Sequence, residues 1–199
     1  MRRTLSLILV MLLAMTPCLS LAESSVDEIV AQIADAASVM KLTMFVQSAF
    51  DGVPDLSYEY DKETDSFSFL FAGTNEVMGD LYAYVDVYGD GLLMTACYET
   101  DAPQEVIDKI VRFANMLNAD MLCGKYYVFA DTGSICYEDF IDFGMVDLNA
   151  LDEEMQDIFH GYFSSFLVRA DYDAEYFAEL ISGETVENTY AIYLADHDD

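Results

Sequence analysis

Positive charge is what this 199-residue chain most lacks: eight Lys and Arg stand against 37 Asp and Glu, a formal net charge of −29. Two of the eight, Arg2 and Arg3, sit at the start, so the rest of the chain holds six bases (Lys41, Lys62, Lys109, Arg112, Lys125 and Arg169). A potential this negative repels phosphate backbones and anionic bilayers, which argues against nucleic-acid binding and against anionic membrane surfaces as partners. Cationic proteins or peptides, metal cations and neutral ligands remain as partners. Histidine is nearly absent too, with only His160 and His197. Neither lies in an H-E-x-x-H pattern, and no G-x-S-x-G accompanies them, so the familiar hydrolase and metalloprotease signatures are missing. Carboxylate pairs for glycoside chemistry carry no information among so many acids. The chain reads as non-enzymatic and needing no cofactor.

Cysteine is sparse and uneven. Of four, Cys18 falls in the leader described below, leaving Cys97, Cys123 and Cys136. That odd, low count does not describe a disulfide scaffold, and no C-x-x-C redox or paired zinc motif occurs. The expected reading is small buried hydrophobes on strands, with one pair and one thiol left over as the alternative in an oxidising compartment.

What is abundant is apolar and aromatic. The chain is 54% hydrophobic, with 14 tyrosines and 13 phenylalanines. Disordered acidic chains are poor in aromatics, so a folded core is expected. Arg2-Arg3, the apolar run Leu5 to Met15 and then Ser20-Leu21-Ala22 form an export leader cut after Ala22. An uncleaved anchor and a lipid anchor on Cys18 are the alternatives. Pro17 fits neither well, because it interrupts the apolar run and stands where a lipid site carries a small residue. No later segment reads as a membrane span. The expected organisation is therefore a signal peptide at 1–22, one domain at 23–183 and an acidic tail at 184–199, exported to the cell envelope or beyond.

Periodicity orders the domain. A first helix starts near residue 25, its apolar positions being Val26, Ile29/Val30, Ile33, Ala37, Met40 and Met44. From Leu56 the period falls to two, predicting strands over 56–60, 67–71, 81–88 and 92–99, joined by short turns. A second helix is expected with Asp101 as cap and Gln104 completing a capping box, its stripe being Val106, Ile110, Phe113/Ala114, Leu117 and Met121. A hairpin follows over 125–130 and 135–143. The third helix is expected from Asn149 to Ser182-Gly183, with a bend near Asp171-Tyr172-Asp173 and Leu151, Met155, Ile158/Phe159, Tyr162, Phe163 and Phe166 turned inward. The tail holds a possible strand over 190–194. The fold class is α+β: helix, antiparallel sheet, helix, hairpin, helix.

The joints of that order carry a resemblance. From Asn118 to Tyr137 the chain reads NADMLCGKYYVFADTGSICY. It places an Asn at the end of a helix, then Gly124, an apolar strand, an Asp-x-Gly turn and a strand opening apolar-x-Tyr. The stretch from Asp173 to Gly183 is aromatic in the middle and closed by glycine. This pattern, over roughly residues 50–183, resembles the YbjN-like domains, which share a fold with type III secretion chaperones, here in an exported version. The resemblance implies a curved antiparallel sheet packed by helices and a role in binding proteins or in regulation, with a homodimer possible.

In the third strand Leu81, Ala83, Val85 and Val87 take one face and Tyr82, Tyr84, Asp86 and Tyr88 the other. The second set forms the candidate partner-binding site, joined by Tyr98 and Tyr137. Tyrosine offers contact area and cation–π faces, while carboxylates pair Lys and Arg. The strand preference of Tyr accounts for the same enrichment, provided helices cover that face. Asp61, Glu63 and Asp65, and Asp86 with Asp90, offer oxygens to calcium, but they lack the EF-hand Gly and distal Glu, and solvated turns explain them better. The functional expectation is a chaperone-like domain binding a cationic polypeptide. The alternative is an exported small-ligand or calcium-binding protein.

Overall fold

The computed structural model describes residues 26–100 and 102–197. The segment 1–22 expected to be a leader, Cys18 within it, Asp101 expected as a helix cap, and the last two acids lie outside them. The chain divides after Ala34 into two compact units. In the first, Val26–Ala34 are helical, and Ile29, Val30 and Ile33 are exposed. The second, Asp35–Asp199, contains the sheet and the core.

Among the described residues four helices and six strands succeed one another: α1 (Val26–Asp51), β1 (Glu59–Asp61), β2 (Ser66–Phe71), β3 (Leu81–Tyr88), β4 (Gly91–Tyr98), α2 (Gln104–Asp120), β5 (Lys125–Val128), β6 (Ile135–Asp142), α3 (Glu153–Ile181) and α4 (Val186–His197). The strands form one antiparallel sheet in the order β1-β2-β3-β4-β6-β5, so the fold is α+β. β3 and β4 turn through two residues, Gly89-Asp90, with Gly89 at φ +50, the left-handed start that a tight hairpin asks of glycine.

The core lies between one face of the sheet and the helices. Phe50 of α1 sits at its centre, its ring 4.8–5.8 Å from those of Phe67, Phe69, Phe159, Phe163 and Tyr58. A second cluster joins Phe113 of α2 to Phe177 of α3 and Tyr193 of α4. Such aromatic pairs add about 0.5–1.5 kcal/mol each beyond the area they bury.

Several expectations need correction. The buried apolar residues of α1 are Leu42, Phe45, Val46, Ala49 and Phe50, whereas Met40 and Met44 of the sequence stripe are exposed. The stretch Glu28–Asp51 is long and apolar enough to cross a membrane by length and composition, with mean hydropathy 1.5, which the sequence reading passed over. Its last turns belong to the core instead. α2 is capped by Pro103, whose carbonyl accepts from the Val106 and Ile107 amides, with no side-chain cap. α3 opens later than Asn149, at an Asp152 cap that accepts from the Met155 N–H, because Asn149 is held in a local turn on Asp147. It then runs unbroken through Asp173 to Ile181, and Ile158 and Tyr162 face outward. Where a solvated tail with a strand over 190–194 was expected, Val186–His197 form a docked helix: Val186, Thr189 and Tyr193 are buried. The charged C-terminal end masked the helical spacing of those three positions.

A tyrosine- and acid-lined open sheet face

β-strand side chains alternate, so the inward row that builds the core leaves an equal row facing the other way. Among the described residues of the second unit, helices pack on the first row: the core cluster contains only inward strand positions, and the helices' ring contacts to the sheet fall on that side. The register writes the open face out as cross-strand rows. One runs Leu70–Tyr82–Cys97–Cys136–Tyr127 and the next Glu59–Ser68–Tyr84–Thr95–Glu138–Lys125. A third runs Asp61–Ser66–Asp86–Leu93–Phe140, and Tyr88 stands at the hairpin end opposite Gly91.

Tyr82, Tyr84, Asp86 and Tyr88 thus share this face, the first three half-buried among neighbours and Tyr88 exposed. Tyr98 and Tyr137 do not join them. Both are turned into the core, where the Tyr98 hydroxyl donates to Asp171 at 2.7 Å and the Tyr137 ring stacks on Phe166. Parity decides it: their chain neighbours Cys97 and Cys136 take the open-face row, directly paired in the ladder and joined by a disulfide. Cys123 is an exposed free thiol, so the expected set of small buried hydrophobes is corrected to one pair with one thiol left over, because the β4–β6 register sets Cys97 opposite Cys136.

Two troughs flank the Tyr82–Tyr84 ridge. One, of about 360 Å³, is bounded by Tyr58, Glu59, Ser68 and Leu70. The other, of about 380 Å³, has Thr95 and the Cys97–Cys136 bridge as its floor and Tyr127 and Phe129 as its far wall, with Asp86 and Glu99 also lining it. The Tyr127 and Phe129 rings meet edge to face at 5.4 Å, which fixes that wall. Burial, and then Glu99, pushes the Tyr84 hydroxyl above its ordinary pKa. Burial, and then Glu138, does the same to Tyr127. Both are neutral donors at physiological pH. Lys125, the base in these rows, is paired with Glu138 at 2.8 Å. Glu99, Tyr127 and Phe129 were missed in the sequence. The alternation of Tyr126 and Tyr127 carried a signal for the last strand, but four residues are too few to fix which parity is inward.

The acidic turns serve the fold. Asp65 accepts from the Tyr60 hydroxyl at 2.6 Å, and Asp61 accepts from the Glu63 amide at 2.8 Å. Among the described residues no three His, Cys, Asp or Glu side chains converge to hold a metal ion. His160 sits half-buried on α3 with Nε2 2.8 Å from the Ala49 carbonyl. Beneath the other face lies one buried ion pair. The Asp173 carboxylate accepts from Arg169 Nε at 2.6 Å and from the Tyr126 hydroxyl at 2.8 Å, and Arg169 Nη2 donates to Tyr193 at 2.8 Å. Burial pushes Asp173 up against the pull of Arg169. Burial also opposes the charge on Arg169, but Asp173 beside it holds that charge firmly.

No family model matches the chain, and no curated protein matches it by sequence. Among solved structures the fold is similar to the crystal structure of YbjN, a candidate transcription regulator from E. coli, at a TM-score of 0.41 and 11% identity, over 75% of this chain and 92% of that one.

Proposed function

We propose that this chain is a non-catalytic, exported domain that binds another polypeptide, of cationic and amphipathic character, on the open face of its sheet. The observation that carries this reading is the sheet face on which, among the described residues of its unit, no helix packs, furnished with tyrosines, exposed Leu70 and Phe140, and carboxylates. Apolar and aromatic groups left in water across several strands gain by being covered, at roughly 25 cal/mol per Å² of apolar area removed from solvent. Carboxylates around them steer a basic partner and refuse an acidic one. Export accords with the Arg2-Arg3 leader pattern, and a disulfide at the centre of the face suits an oxidising compartment.

A photo-crosslinking residue placed at Tyr88, on the face, and another at Asp157, on the far side of α3, test the proposal in the producing cell. Covalent capture of one basic polypeptide from Tyr88 but not Asp157, diminished by high salt, is the expected result. Equal capture from both positions would count against the face as the binding surface.

A further inference from the structure

We infer that the trough between the Tyr82–Tyr84 ridge and the Tyr127–Phe129 wall is a seat for an arginine side chain of the bound polypeptide, an inference that rests on the polypeptide-binding reading. Tyr82 and Tyr127 belong to one cross-strand row with Cys97 and Cys136 between them. At the ~4.8 Å spacing of strands their backbones stand roughly 14 Å apart, so the two rings wall a slot instead of touching. The floor is low because Thr95, Cys97 and Cys136 are short, and the bridge pins β4 to β6 beneath it.

The slot is built for a flat cation. Its walls are phenol and phenyl faces, which attract a cation through the ring quadrupole. Asp86 lies one row beyond Tyr84 and Glu99 one step past Cys97, so they bracket the slot from opposite ends. Neither forms a salt bridge or side-chain hydrogen bond among the described residues, in contrast to Glu138, which Lys125 neutralises. The local charge is therefore uncompensated and negative, and a cationic side chain is its complement. Guanidinium answers both features at once: it stacks on aromatic faces, is more weakly hydrated than ammonium, and offers donors at its edge to a carboxylate. Lysine supplies only the point charge. A free metal ion would find walls with few oxygens.

The test titrates the full chain with a capped hexapeptide of alternating arginine and leucine, and with its lysine and serine counterparts, by calorimetry at low and high salt. Variants Tyr127→Leu and Tyr82→Leu remove the stacking faces. Asp86→Asn with Glu99→Gln removes the end charges, and Asp108→Asn with Asp157→Asn removes two exposed charges from the helices as a matched control. The expected result is arginine peptide binding that falls about fivefold with each tyrosine variant and more with the paired acid variant. The control pair leaves it unchanged, the lysine peptide binds several-fold more weakly, and the serine peptide does not bind. Circular dichroism and an intact Cys97–Cys136 bridge establish that each variant is folded. Arginine and lysine peptides binding alike and indifferent to Tyr82 and Tyr127 would overturn the seat while leaving the open face as a general acidic surface. Absence of arginine peptide binding would also overturn the seat, and the crosslinking from Tyr88 then decides the polypeptide-binding reading separately.

Discussion

Asp173 is fully buried, yet it is an acid in a chain that already has far more acids than bases. It is tolerated because one oxygen receives both Arg169 and Tyr126, while the other, Oδ1, has no partner. Arg169 in turn reaches Tyr193, so three elements, β5, α3 and α4, meet at one carboxylate. Asp173→Ala strands a half-buried guanidinium and removes the Tyr126 acceptor. It should lower the unfolding free energy in urea by about 3–5 kcal/mol. The double variant Arg169→Met with Asp173→Leu should recover most of that loss, since replacing a buried pair with packed apolar groups is often neutral. If the single variant is as stable as the parent, the pair is a spectator.

Between residues and whole fold, two devices manage the sheet. The free edge of β5 is closed by a side chain: Asn118, at the end of α2, accepts from the Tyr126 N–H at 2.6 Å and donates to the Tyr126 carbonyl at 2.7 Å, standing in for a missing strand. Gly124 makes this turn possible. It holds φ +69, and a Cβ there would collide with the Tyr137 ring. Asn118→Ala should cost about 1–3 kcal/mol in thermal unfolding, since two buried backbone groups lose their partners. It should also raise self-association on size exclusion by exposing an edge. The other edge strand, β1, is only three residues long and bears Glu59 and Asp61, which blunts it by length and charge. The Cys97–Cys136 bridge closes a loop of 39 residues, so reducing it should lower stability by about 2–4 kcal/mol. The change should appear as a lower melting temperature in a dithiol reductant, while a Cys97→Ala, Cys136→Ala protein melts at that lower temperature with or without reductant.

At the scale of the whole molecule, the tyrosines set the alkaline limit. Burial, then hydrogen bonding to Asp65, pushes Tyr60 up to about 12. Burial, then the charge of Asp139, pushes Tyr137 up to about 12. Tyr98, Tyr126, Tyr162 and Tyr176 are raised as well, burial being the leading cause in each. These groups keep their protons longer in the folded chain than in the unfolded one, where they ionise near pH 10. Their contribution is therefore fully present below pH 10 and lost as the pH climbs from 10 towards 12. The expected outcome is a cooperative rise in tyrosinate absorbance that coincides with loss of ellipticity in that window. Smooth titration of the phenols before any unfolding would contradict it.

The sequence by itself determined the α+β class, the residues of β3 to the last position, and the split of that strand into an apolar row and a Tyr-Asp row. Those follow from period-two alternation and turn chemistry, which are local. It also determined the net charge of −29, since charge needs no fold to be counted. Only the tertiary structure decided which row is covered. The sequence leaves the Tyr82–Tyr88 row free to lie beneath helices, whereas the core end of α1 and the length of α3 pack on the opposite one. Tertiary register also turned Tyr98 and Tyr137 inward and brought Cys97 opposite Cys136, because ladder pairing joins residues 39 apart that no local period relates. The inward residues of α1 and the docking of α4 belong to the same class. In both, several apolar faces were on offer along the helix, and the one buried is the one that met a partner surface.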